Sequence, residues 1–160
     1  MSVADLAQVL EWRNHRDIRR YMYTQHEISP IEHRRWFEDM SLDPNRNLLI
    51  CQLGDTLVGF INFHVISAGK IADWGFYCAP GSPKGTGRML GRAAIEHAFV
   101  QLQLHKICGQ ALAYNVPSIR LHQALGFHQE GVFRHHHFDG QIYNDVVHFG
   151  LLTDEWSPSN

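Results

Sequence analysis

The chain has no excess of charge of one sign. Its 14 Lys and Arg face 16 Asp and Glu, giving a formal net charge of −2. That excludes a global basic field able to gather nucleic acid, and no DNA-binding motif is present. Cysteine is scarce: Cys51, Cys78 and Cys108 are three in number, and no two form a C-x-x-C pair. An odd set without metal spacing reads as free thiols in a reducing compartment, not as a disulfide frame or a zinc site. No stretch approaches the roughly 20 apolar residues that span a bilayer. The opening residues Met1 to Asp5 lack a basic segment followed by an apolar run, so no signal peptide is expected. The expectation is a cytoplasmic protein with no membrane or nucleic-acid partner. Internal repeats, low-complexity tracts and linkers are absent.

What is there suits one domain over residues 1–160, with 44% hydrophobic and 19% charged residues. Residues 3–13 read as a helix with Leu6, Val9 and Leu10 on one side, followed by a loop and a short helix to Met22. Ser29 suits an N-cap, Pro30 the first helical position and Glu32 a capping box, so a second helix runs to about Ser41. Asn47 to Leu53 and Thr56 to Val65 read as strands around the turn Gly54-Asp55. A third strand covers 71–78, and a helix covers about 86–103. Lys106 to Ala113 is a strand, Asn115 caps a short helix, and Gly126 stops it. Phe127 to Phe138 and Gln141 to Leu152 form a hairpin around Asp139-Gly140. This order predicts an α/β (α+β) domain with a mixed, mostly antiparallel, twisted sheet flanked by helices.

Between the third strand and the long helix lies Pro80-Gly81-Ser82-Pro83-Lys84-Gly85-Thr86-Gly87. A helix start leaves four N–H groups unpaired and carries partial positive charge. Glycines let a ligand approach that backbone, which makes an anion site suited to a pyrophosphate. No Gly-Lys-Ser/Thr follows, so this is not a Walker loop. Gly91 falls four residues after Gly87, which misses the dinucleotide fingerprint.

Here the chain resembles the GNAT acetyltransferases, whose motif is Gln/Arg-x-x-Gly-x-Gly/Ala. Gly85 and Gly87 match, and Ser82 stands where the leading Gln or Arg would be. Asn115-x-x-Ser118-x-x-Leu121-x-x-x-Leu125-Gly126-Phe127 resembles the family segment that lines the pantetheine and thiol end. With the final hairpin, the resemblance covers about residues 45–152. It implies a GNAT fold with a V-shaped splay between the two central strands, and acetyl-CoA as co-substrate without a metal. It implies a cofactor site formed by Phe76, Tyr77, Cys78, Ser82, Lys84, Gly85, Thr86, Gly87, Arg88, Asn115 and Ser118.

The segment Trp12-Arg13-Asn14-His15-x-Asp17-Ile18-Arg19-x-Tyr21-Met22, with His33 and Trp36, is similar to the PseH group within that family. Those enzymes acetylate the 4-amino group of UDP-4-amino-4,6-dideoxy-N-acetyl-β-L-altrosamine. The step belongs to pseudaminic acid synthesis for flagellin glycosylation. The resemblance implies a nucleotide-sugar substrate met by Arg13, Asn14, Arg19, His33, Trp36 and His64. Arginine suits a diphosphate through its bidentate fork. The alternatives are a ribosomal-protein N-terminal or polyamine N-acetyltransferase, and a domain that binds acyl-CoA without catalysis. A homodimer stays open.

The family commonly places a Tyr after the Leu of the short helix as general acid. Here that position is His122, so His122 is the candidate acid, with Tyr114 or Ser118 behind it. Asp73 is the candidate base, acting through water, and His64 is a second. His135-His136-His137 suggests a metal, but successive strand residues point to opposite faces, so no metal site is expected.

Overall fold

The computed structural model describes residues 1–157. A single 3₁₀ turn, Val3–Asp5, leads into α1 (Leu6–Asn14), with α2 (Arg16–Arg19) and α3 (Pro30–Leu42) following. Ser29 caps α3 by accepting the Glu32 N–H at 3.2 Å, an interaction worth about 1 kcal/mol. The reciprocal half of the expected capping box is replaced: the Glu32 carboxylate meets the His26 ring at 3.0 Å.

The strands are β1 (Arg46–Leu53), β2 (Thr56–Val65), β3 (Ile71–Cys78), β4 (Lys106–Leu112), β5 (His128–Phe138) and β6 (Tyr143–Leu152). They form one sheet in the order β1-β2-β3-β4-β6-β5. Among the described residues only β3 and β4 run parallel. Helix α4 (Thr86–Glu96) crosses between them and α5 (Val116–Ala124) follows β4. The expected long helix loosens at its end, where His97–Gln101 forms one π-helical turn. Ile61, Phe63, Leu90, Ile95, Ile107, Phe149 and Leu151 are at most 1% exposed. Each such side chain contributes about 1.5–3 kcal/mol by leaving water. They pack α4 and the sheet into one core.

Two details of the final hairpin differ from the sequence reading. The turn is longer than Asp139-Gly140, because the Asp139 carboxylate accepts the N–H groups of both Gln141 and Ile142 at 2.9 Å. And the three histidines lie on a bulge. Phe133 pairs with Val146 and His137 with Asn144, so β5 carries extra residues between them. His135 sits there at φ 52°, and its N–H donates to the Asp145 carboxylate at 2.8 Å. The simple alternation of faces assumed from sequence does not hold across that stretch.

The feature that positions the site is the parallel pair. Its register runs only through Ile71↔Lys106, Ala72↔Ile107 and Asp73↔Cys108. From Trp74 to Cys78, β3 stays paired with β2 but has left β4. The expected V-shaped opening is therefore present, with its apex at Asp73.

Candidate active site

The opening holds a cavity of 520 Å³. Its walls include Asp73 to Tyr77 from β3, Cys108 and Gln110 from β4, and Asn115, Ser118 and His122 from α5 and its cap. Phe60, Asn62 and His64 of β2, with Arg46, close one side, and Tyr21, Met22 and Tyr23 close another. Asn62, Gln110 and Arg46 were missed in the sequence. Asn62 did leave a signal: it is a lone amide in the apolar run Leu57 to Phe63. Its Oδ1 is buried with no hydrogen-bond partner among the described residues.

At the apex stands His122, the candidate acid. His122 is 3% exposed. It stacks on Phe149 at 4.6 Å and meets the edges of Trp74 and Phe127. The Trp74 indole N–H has no acceptor role, so it must donate to His122 Nε2, at 3.2 Å. The ring proton therefore sits on Nδ1, which donates to the Ser118 carbonyl at 2.8 Å. Burial lowers the imidazole pKa, partly opposed by that carbonyl. With Nε2 accepting from Trp74 and Nδ1 donating to Ser118, both ring nitrogens are engaged inside the core.

The Gly-rich loop presents backbone. Gly85 is the N-cap of α4 at φ 99°, a conformation that favours glycine. The amides of Lys84, Gly85 and Gly87 make no backbone hydrogen bond among the described residues. A side chain at Gly87 would begin 3.3 Å from Leu121 and 3.6 Å from Cys78 Sγ. The Ser82 and Thr86 hydroxyls turn inward, to the Ala79 carbonyl at 2.6 Å and the Pro83 carbonyl at 2.8 Å. They brace the loop, while Lys84 and Arg88 stand exposed beside it. Burial raises the Cys78 thiol pKa and also the Tyr77 hydroxyl pKa, so neither ionises near neutral pH. The Asn115 side chain accepts the Ser118 N–H at 3.2 Å and caps α5.

The expected acceptor residues, taken with the candidate base Asp73, divide into three groups. Asp73 and His64 face each other in the β2–β3 register and both line the main cavity. Arg13, His33 and Trp36 line a second cavity of 260 Å³, which shares Phe60 and Tyr77 with the first. His33 stacks on Trp36 at 5.1 Å, and Arg13 Nη1 is buried with no hydrogen-bond partner among the described residues. Asn14 and Arg19 line neither cavity. Asn14 instead clamps Ile28, donating to its carbonyl at 2.8 Å and accepting its N–H at 2.9 Å. Arg19 meets Glu27 at 3.5 Å.

Tyr114 lies outside both cavities too. Its hydroxyl donates to the Arg20 carbonyl at 3.2 Å and accepts from Gln25 at 3.3 Å. Tyr23 donates to Gln110 at 2.8 Å. Together these bonds lay residues 20–28 as a strap over β4 and the mouth of the opening.

Over residues 1–128 the chain matches the acetyltransferase (GNAT) domain family. Acetyltransferase PseH of Campylobacter jejuni (strain 81-176) is 27% identical over 123 residues, which cover 77% of this chain and 76% of that protein. The putative ribosomal N-acetyltransferase YdaF of Bacillus subtilis is 28% identical over 103 residues, 63% of this chain and 56% of its own. Among solved structures, spermidine N-acetyltransferase from Vibrio cholerae in complex with CoA and spermine has a TM-score of 0.88. It is 24% identical and the match covers 97% of this chain and 94% of that one, a likeness of fold.

Proposed function

The chain belongs to the GNAT acetyltransferase family and is an acetyl-CoA-dependent N-acetyltransferase; we propose that it acetylates the 4-amino group of a UDP-linked 4-amino-4,6-dideoxy sugar. The named substrate is UDP-4-amino-4,6-dideoxy-N-acetyl-β-L-altrosamine, on the route to pseudaminic acid. The observation that carries this reading is the charge of the main cavity. Among the described residues its lining has one carboxylate, Asp73, against Arg46 and the three amides Asn62, Gln110 and Asn115. A polyamine acceptor carries several positive charges and needs several carboxylates around it. A nucleotide sugar brings negative charge, a planar base and hydroxyls, which suit arginine, aromatic rings and amides. Arg13, His33 and Trp36 in the adjoining cavity supply more of the same kind, beside one further carboxylate, Glu32. The similarity to PseH points the same way.

The chemistry then follows from the walls of the opening. The free amides of Lys84, Gly85 and Gly87 suit the pyrophosphate of acetyl-CoA, with Lys84 and Arg88 adding charge. The unpaired edge of β3 from Trp74 to Cys78 suits the pantetheine, and one of its N–H groups polarises the thioester carbonyl. Asp73, at the apex, takes the amine proton through a water. The amine nitrogen attacks the thioester carbon, the C–S bond breaks, and the thiolate leaves. A thiol has an ordinary pKa of about 8.5, so the thiolate departs without a strong acid.

Product inhibition tests the acceptor. UDP should compete with the amine substrate and not with acetyl-CoA. Competition by spermine, with no effect of UDP, would overturn the assignment.

A further inference from the structure

The strands part where two side chains stand between them. Trp74 projects from β3 at the first residue beyond the parallel register, and His122 reaches in from α5. The facing residue of β4 is Gly109. A Cβ there would lie 2.5 Å from His122 Nε2 and 2.8 Å from Trp74 Nε1. Both rings therefore press on β4 backbone, at the one position where β4 offers no side chain. Trp74 is 7% exposed and His122 3%. Phe127 stacks on Trp74 at 4.9 Å and Phe149 stacks on His122 at 4.6 Å, so neither ring can withdraw.

We infer that Trp74 and His122, joined by their hydrogen bond and seated on Gly109, form a wedge that sets the width of the opening between β3 and β4. His122 is thus a positioning residue for the acetyl-CoA thioester, and the leaving thiolate takes its proton from solvent. The neighbours that face the ring are Trp74 and Phe76 from β3, Gly109 from β4, Phe149 from β6, Phe127 before β5 and Ser118 of α5. None of them titrates near neutral pH. This inference rests on the N-acetyltransferase activity and is independent of which amine is the acceptor.

The test separates a wedge from a proton donor. Glutamine places Oε1 the same number of bonds from Cα as His122 Nε2, so His122→Gln keeps an acceptor for the Trp74 N–H and loses the imidazole. It should keep kcat and its pH profile, and hold KM for acetyl-CoA within about threefold. His122→Phe leaves the buried indole N–H unpaired and should raise that KM about tenfold, with a smaller change in kcat. Gly109→Ala keeps both rings but displaces them, and should raise KM for acetyl-CoA with an unchanged kcat–pH profile. It also stands in if His122→Phe does not fold. A fall in kcat of similar size in the Gln and Phe variants, with KM unchanged, would show a proton donor and overturn the wedge. So would wild-type KM in Gly109→Ala.

Discussion

The two ends of the opening are built differently. The end proposed for acetyl-CoA is made of backbone: free amides at Lys84, Gly85 and Gly87, and the bare edge of β3. The end proposed for the acceptor is made of side chains: Asp73, His64, Asn62 and Gln110 in the walls, and a strap held down by Asn14, Tyr23 and Tyr114. A backbone site tolerates side-chain change but demands glycine where the ligand comes close. A side-chain site changes its ligand when a few residues change.

That contrast can be broken by substitution. Asp73 stands at the apex, where the two ends meet, and its loss should be felt most. Asp73→Asn should lower kcat about 10²-fold, the scale of one positioned base, measured under saturating acetyl-CoA and acceptor. Next is the backbone end. Gly87→Val places branched atoms against Leu121 and Cys78 and blocks the amides. It should raise KM for acetyl-CoA about tenfold or more by losing a charge-assisted hydrogen bond or two, and leave acceptor KM near wild type. The opposite pattern belongs to Asn14→Ala. It releases Ile28 and loosens the strap, so acceptor KM should rise about fivefold with acetyl-CoA KM unchanged. Equal effects of Gly87→Val and Asn14→Ala on both KM values would erase the distinction.

The smallest expected effect is on stability. Burial lowers the pKa values of His122 and His33 in the folded state. Each is therefore protonated more readily when unfolded, where its pKa is near 6.5. Stability is full above that value and falls as pH drops below it toward the folded pKa. Thermal unfolding from pH 7.5 to 5.5 should show a falling Tm, and His122→Gln should flatten the fall.

How much of this was legible in the sequence follows the same division. The Gly85-Thr86-Gly87 loop, the strands around it and the cap at Asn115 could be read, because backbone demands leave glycines, caps and periodicity behind. Even the bare edge of β3 was expected. The side-chain end was harder. Asn14 looked like a ligand contact, yet it binds the backbone of Ile28 fourteen residues away. A polar side chain that clamps a loop has the same sequence signature as one that holds a substrate. His122 stood where the family keeps a Tyr, and nothing local announces that Trp74, 48 residues earlier, donates to it. The bulge at His135 also left no periodic mark, because its cause is Asp145 on the partner strand.

The most direct test of the whole account is a thiol-release assay with acetyl-CoA and three amines: the UDP-linked 4-amino-4,6-dideoxy sugar, spermidine and N-terminal peptides. The account predicts the highest kcat/KM on the nucleotide sugar, with one acetyl group on its 4-amino nitrogen. Turnover of spermidine alone would contradict it.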